Sequence, residues 1–426
     1  MATAVLTGTE LQTATQRRVV LVLAAAQMFG GVGVAAGAAV GALLAADLSS
    51  DSFSGVAAAA SVIGAALIAI PVSRVMDSRG RRPGLLLAYA IGVAGALTIV
   101  IGAKLGWFPL ALLGLVATGG GTTATLQSRY AATDLASPER RGRALSTVVW
   151  ATTIGSVLGP NLSSPMGNFA ESINIPSLAG PYLLTVCVFL ISALIVGLLL
   201  RPDPLHVARA MRQDRDGVDR HRHVKRSMRT ALATISGIPS ARVGLASIVL
   251  GHAVMVAIMS MTPVHLRHAD AGLRVIGLVI SLHIAGMYAA SPLVGMAVDR
   301  IGRKPVIILG STILLASFIV SGTASGHEST QLAGGLTMLG LGWSCTMIAG
   351  STLLTDAVPA PQLPNVQGTA DVLMGFGGAS AGLLAGVVVS FGSYAILSMV
   401  AAALILLLLS VTLAPPRHLT TQQSPA

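Results

Sequence analysis

The chain runs to 426 residues, of which 53% are hydrophobic and only 10% charged, and its mean hydropathy is +0.78. Soluble domains carry about a quarter charged residues, so a water-soluble globular protein is excluded. The net charge of +11 does not point to nucleic acid, because aromatic residues make up 4% of the chain and no basic patch is interleaved with rings on which bases could stack.

A polar tail, residues 1–18, ends in Arg17-Arg18. The apolar run behind it is too long for the core of a signal peptide and is read as a first span. Apolar runs lie at 19–45, 53–75, 84–104, 107–128, 143–164, 181–200, 241–263, 275–297, 305–323, 331–353, 367–389 and 393–413. Each is long enough to cross a bilayer as a helix, the only open-chain form that satisfies its own backbone in lipid. The 48 glycines suit close helix packing there. The expectation is an all-α membrane protein with twelve transmembrane helices in two pseudo-symmetric six-helix bundles, 19–200 and 241–413, with a tail at 414–426.

Twelve spans bring both termini to one side. Placing that side in the cytoplasm leaves only Lys104, Arg267 and Arg274 of the 27 Lys and Arg outside. This asymmetry predicts a multi-pass plasma (inner) membrane protein with both termini cytoplasmic. Segment 201–240 breaks the pattern with basic residues from Arg201 to Arg229. It reads as a cytoplasmic linker, either a solvated tether or an amphipathic helix on anionic lipid.

The second span runs into Asp77-Ser-Arg79-Gly80-Arg81-Arg82-Pro83, and the eighth into Asp299-Arg300-Ile-Gly302-Arg303-Lys304-Pro305, at an offset of 222 residues. The same offset carries Asp134, after span four, onto Asp356, after span ten. Repeated transporter halves leave this kind of internal symmetry. With Gly295 four residues before Asp299, the second copy resembles the G-x-x-x-D-R-x-G-R-K signature of the major facilitator superfamily. The first copy is similar, with Ser73 for the first Gly and Ser78 for the first Arg. The resemblance covers the chain from the first span to the twelfth and implies a secondary transporter working by alternating access. Gly and Pro permit a tight turn at the membrane surface. The arginines can pair with Asp77 or Asp299 and with Asp134 or Asp356, forming a latch that holds one rocking state, or they can serve topology alone.

Span five carries Gly155-x-x-x-Gly159-Pro160, similar to the G-x-x-x-G-P motif of proton-coupled exporters in that family. The plainer reading is a helix bend with close packing. Asn161 departs from the glycine-rich continuation, and Leu115 stands where the exporters carry a membrane Arg in span four.

Spans seven and eight hold His252, Met255, Met259, His265 and His268, then His283 and Met287. Met255 and Met259 share one helix face, as do His283 and Met287, and each pair starts about 12 Å inside the outer end of its span. At the 222-residue offset the first half has Gly33, Gly37, Ser61 and Ala65, so the cluster belongs to one half. Thioether sulfur with imidazole suits Cu(I), and His265 and His268 could collect the ion near the outer surface. The pattern resembles the CcoA-type copper importers, whose M-x-x-x-M and H-x-x-x-M pairs imply Met255, Met259, His283 and Met287 as copper-binding residues. This chain has only two cysteines, Cys187 and Cys345, which leaves a thiol relay without a basis. Methionine is also an adaptable packing residue, and His252 or His283 could instead carry protons for an exporter of small organic molecules or drugs.

Asp371 is read as opening span eleven, where a carboxylate favours a helix N-terminus. Gln27 and Asn161 either line the pathway or hydrogen-bond between helices. No phosphate-binding loop, paired catalytic carboxylates, HExxH or CxxC is present, so the expectation is no enzyme and no cofactor. The expected partners are the lipid bilayer, a small solute or metal-ion substrate, and protons; copper enters only as a possible substrate.

Overall fold

A computed structural model describes residues 8–49, 54–216, 227–267, 273–324 and 328–414. The described residues form an N-terminal bundle of α1 (Gly8–Leu48), α2 (Ser54–Arg79), α3 (Arg81–Lys104), α4 (Phe108–Ala131), α5 (Arg141–Ser172) and α6 (Gly180–Leu199). Two linker helices follow, α7 (Pro204–Asp216) and α8 (Met228–Gly237). The C-terminal bundle holds α9 (Pro239–Arg267), α10 (Leu273–Tyr288), α11 (Ser291–Ile301), α12 (Arg303–Thr323), α13 (Ser329–Ala357), α14 (Leu363–Phe391) and α15 (Tyr394–Leu413). His268, residues 217–226 of the linker and residues 415–426 of the tail lie outside the described residues.

One expectation needs correction. Span eight is not one helix: α10 ends at Tyr288 and α11 starts at Ser291. Pro292 has no N–H for the fourth residue back and its ring crowds that carbonyl, so the ladder restarts. Among the described residues, eleven segments are long and apolar enough to cross a membrane, and α5, the helix of span five, is not among them by composition. It carries Thr, Ser, Asn, Pro160 and Pro165 along its length and packs tightly on α1. A Cβ at Gly155 would lie 2.4 Å from the Gly31 carbonyl carbon, and one at Gly159 2.7 Å from the Val32 carbonyl oxygen. Backbones this close need small residues more than apolar ones.

The halves meet through α2 against α14 and α5 against α11. Both contacts use one serine and one glycine. A Cβ at Gly368 would lie 2.4 Å from Ser73 Cβ, and one at Gly295 2.0 Å from Ser146 Oγ. The 222-residue offset maps Ser73 onto Gly295 and Ser146 onto Gly368, so the two halves present the same fit with knob and notch exchanged. The signature turns are equally matched: Gly80 and Gly302 have φ of 97° and 98°, a conformation that glycine reaches without a Cβ penalty.

The notch predicts a measurable asymmetry along α14. Gly368→Val overpacks the contact, which typically costs about 1–3 kcal/mol and should favour separation of α2 from α14. Gly386, with open space around its Cα, serves as the control. Maleimide labelling of a cysteine placed at Ser73 should rise several-fold with Gly368→Val and stay unchanged with Gly386→Val. Equal labelling in both would show that the contact tolerates the added methyls.

Candidate functional site

The signature loops gather on one face of the molecule, here termed the basic face, and close it. Asp299 at the end of α11 crosses to the other half, where its Oδ1 accepts from Gly142 N at 2.8 Å and its Oδ2 from Arg143 N at 3.0 Å. A carboxylate at the start of α5 satisfies amides that have no intrahelical partner and faces the positive end of the helix dipole. Arg303 Nε donates to Asp356 Oδ2 at 2.8 Å. Arg141 also pairs with Asp356, and Arg303 reaches the Pro138 carbonyl across the halves. A cleft of about 390 Å³ is lined by Pro138, Glu139, Arg141, Asp299, Arg303 and Asp356; it is the outer surface of this closure. Arg79, Arg300 and Lys304 are exposed at the same face.

In the first half, Arg81 is fully buried. It grips Asp134 with two bonds of 2.8 and 3.0 Å and donates to Gln367 Oε1 of α14 at 2.7 Å. Arg82 Nε donates to the Gly197 carbonyl at 2.9 Å. Asp77 accepts from Arg209 of α7 at 2.8 Å.

One turn deeper lies a charge pair that the motifs did not announce. Arg129 Nη2 of α4 donates to Asp371 Oδ1 of α14 at 2.5 Å, and Gln127 Nε2 donates to Asp371 Oδ2 at 2.8 Å. Arg129 also donates to Tyr130 Oη at 3.1 Å and to Met347 Sδ of α13 at 2.7 Å. Arg129 and Asp371 are almost fully buried. Removing one partner of such a pair typically costs about 3–5 kcal/mol, because the other charge stays buried alone. Two expectations fall with this pair. Asp371 does not open its helix: α14 begins at Leu363, so the carboxylate sits about 12 Å inside. The polar lead of Pro364, Asn365 and Gln367 hid those first turns. The first half does carry a buried arginine in α4, but at 129, one residue past the end of the predicted span. At the 222-residue offset the counterparts of Arg129 and Asp371 are Ser351 and Val149. The pair therefore occurs in one of the two matched interfaces, and the fold as such does not require it. Gln127 Oε1 and Arg129 Nε are buried without a protein partner among the described residues.

One turn from Met347 on α13 is Trp343. Its Nε1 donates to His252 Nδ1 of α9 at 3.2 Å, and Tyr288 of α10 meets its ring edge-on with centroids 5.8 Å apart. The indole thus stands between α9 and α10. Its bond to His252 leaves that ring's proton on Nε2, beside Gly378 of α14.

This arrangement bears on the methionine and histidine cluster. Both α9 and α10 pack on α13, but on different faces. Gly251 meets Thr346, while Gly286 meets Thr337 and Gly340 meets His283 and Met287. Those α13 positions are roughly 120° or more apart around the helix. The two pairs stand at comparable depth, as their spacing requires, yet flank α13 and Trp343. Met255 and Met287 are buried in the apolar core of the bundle and Met259 packs against it. His283 Nδ1 is held by the Leu336 carbonyl at 2.8 Å, and its Nε2 is buried without a protein partner among the described residues. His265 stacks on Tyr394 with centroids 4.5 Å apart, in an aromatic contact away from the pairs. Among the described residues, no group of three or more His, Cys, Asp or Glu that could hold a metal ion is gathered, thioether ligands aside.

Gln27 donates to Thr152 at 3.2 Å within the N-terminal half. Asn161 bonds to the Val157 carbonyl of its own helix at 2.6 Å, on an exposed face, so it joins no second helix. Gly155 and Gly159 form the α5 surface packed on α1, while Pro160 is exposed.

Comparison with known proteins agrees with the architecture. The profile of the Major Facilitator Superfamily matches residues 21–274 and 243–426. The uncharacterized MFS-type transporter YdeG of Bacillus subtilis is 39% identical over 403 residues, covering 94% of this chain and 93% of its own. The riboflavin transporter RfnT of Brucella anthropi is 26% identical, covering 73% of this chain and 74% of its own. Among solved structures, the human organic anion transporter MFSD10 superposes with a TM-score of 0.75 at 16% identity, over 93% of this chain and 99% of its own. With two six-helix halves, paired signature turns and a profile match along almost its whole length, the chain belongs to the Major Facilitator Superfamily and is a multi-pass membrane transporter.

Proposed function

We propose that this protein is a proton-coupled secondary transporter that exports a small organic solute by alternating access, with Arg129–Asp371 as the element on which protons act. The carrying observation is the pair itself: one buried carboxylate of the C-terminal half bonded to one buried arginine of the N-terminal half, in only one of two matched interfaces. On this reading the basic face is cytoplasmic, the membrane is the plasma (inner) membrane, and the described state is closed toward the cytoplasm.

Charge bookkeeping supplies the coupling. While Asp371 is ionised, Arg129 is held across the halves. A proton reaching Asp371 neutralises the carboxyl and leaves Arg129 with Tyr130 and Met347. The cross-half attraction weakens, and opening at Asp299, Asp356 and Arg141 needs less. Loss of the proton restores the pair and the closure. A ligand can only shift such an equilibrium by its different affinity for the two states, and a proton on Asp371 has that difference built in. Trp343, Tyr288 and His252 supply a cluster of rings at crossed angles near the pair, which suits an organic solute with an aromatic part. The exporter-like Gly155, Gly159 and Pro160 support the outward direction. The likeness to a riboflavin transporter agrees with an organic substrate.

Asp371→Asn keeps the shape and removes the titration. Expected is a loss of about tenfold or more in export, consistent with coupling energies of about 1–3 kcal/mol, and a flattened dependence on external pH. The measurement is efflux of a panel of planar dyes and of riboflavin from loaded cells, with and without a proton gradient. Gradient-driven efflux that survives the substitution would sink the assignment.

A second reading, copper uptake, keeps one observation in its favour: His283 Nε2 is buried and unpartnered one helical turn from Met287. A soft ion bound there would need Met255 and Met259 to reach past α13. Radioactive copper uptake should fall several-fold in Met255→Ala and His283→Ala on this reading, whereas Asp371→Asn should spare it. Normal cellular copper in all three variants excludes it.

A further inference from the structure

The two linker helices are docked on different halves, and each docks beside the closed interface. On the first half, Asp203 lies just before α7. Its Oδ1 accepts from Arg81 N at 3.1 Å and its Oδ2 from Arg82 N at 2.8 Å, while Leu205 N donates to Oδ1 at 3.0 Å. One carboxylate therefore caps α3 and α7 together. A Cβ at Gly80 would lie 2.5 Å from Asp203 Oδ2, so the glycine is needed both for its left-handed turn and to admit this carboxylate. Six residues on, Arg209 donates to the Asp77 carbonyl at 2.9 Å and to Asp77 Oδ1 at 2.8 Å. On the second half, α8 docks at the start of α14. Asn365 Nδ2 donates to the Ser227 carbonyl at 3.1 Å, and Thr234 pairs with Gln362.

Among the described residues the second signature turn has no such clamp. Gly302 has the same φ, but a Cβ there would meet only Pro305 Cδ, at 3.6 Å. Among the described residues no side chain takes the Arg303 and Lys304 amides. Its aspartate, Asp299, is instead spent on the α5 amides of the other half. Two turns of similar sequence and the same glycine conformation are thus held by different means.

We propose that Asp203 is a positioning residue for the basic-face gate. Its carboxylate fixes the first turn of α3, and from that turn Arg81 reaches both Asp134 in its own half and Gln367 in the other. Arg81–Gln367 is a link that opening must break, whereas Asp203, Arg209 and Arg82 hold contacts confined to the first half and its linker. The linker therefore sets how firmly Arg81 is aimed across the interface and, through it, how much of the population is closed at the basic face. This rests on the alternating-access reading above.

The test uses the full chain in membrane vesicles, with Cys187 and Cys345 replaced by serine and one reporter cysteine at Ser146, which is buried in the α5–α11 contact. An impermeant maleimide is applied from the basic face. Loss of a helix cap typically costs about 0.5–2 kcal/mol, so Asp203→Ala should raise the labelling rate about 3- to 10-fold. Asp203→Asn, which keeps an acceptor for an amide, should return it toward the parent rate, a rescue that a general loosening of the fold would not give. Parent-like labelling in Asp203→Ala, or equal increases in the Ala and Asn variants, overturns the proposal. Should Asp203→Ala fail to reach the membrane, Asp203→Ser decides: no increase over the parent overturns it. Parent labelling that does not respond to external pH counts against proton-coupled alternation itself and leaves the role of Asp203 to the Ala and Asn comparison.

Discussion

A buried guanidinium and a buried carboxylate, contributed by opposite halves, impose the main electrostatic constraint on this molecule. Neither Arg129 nor Asp371 tolerates being left alone in a medium without water. Whatever motion separates α4 from α14 must therefore supply another partner or remove a charge. The surrounding groups meet part of that need: Tyr130 and Met347 remain with the arginine, and Gln127 remains with the carboxyl. Protonation is the remaining route on the aspartate side, and the proposed coupling to protons rests on it.

The frame around the pair is close to symmetric. Ser73 on Gly368 and Ser146 on Gly295 are the same joint with partners exchanged, and Gly80 and Gly302 make the same turn. Because lipid offers no hydrophobic drive between helices, close contact depends on such small residues and on polar links. The proposed function draws on the departures from symmetry. Arg129 and Asp371 answer to Ser351 and Val149. Trp343 answers to Gly121, so its indole has no counterpart at the matching position of the first half. Asp299 crosses between the halves, while the first signature turn is clamped by the linker.

The soft-ligand pairs illustrate how far helical spacing can be taken. Spacing puts Met255 with Met259 on one face of α9 and His283 with Met287 on one face of α10. It could not say what stands between α9 and α10. A third helix and its indole do, and side chains that share a depth need not share a cavity. Thioethers that fill apolar gaps in the bundle core are acting as methionine commonly does.

What the amino-acid order determined alone was set by composition, period and repetition: the all-helical membrane class, the two halves, the positions of the signature turns and the arginines beside Asp134 and Asp356. These are local properties, legible because lipid demands long apolar helices and because a repeated half repeats its turns. Tertiary structure alone decided which charges are buried together. Arg129 reads as a residue at the end of a span, and Asp371, 242 positions later in contact terms, reads as a helix start. No local pattern links them. Their pairing follows from α4 and α14 meeting across the interface, beside the serine–glycine joint that seats α2 on α14.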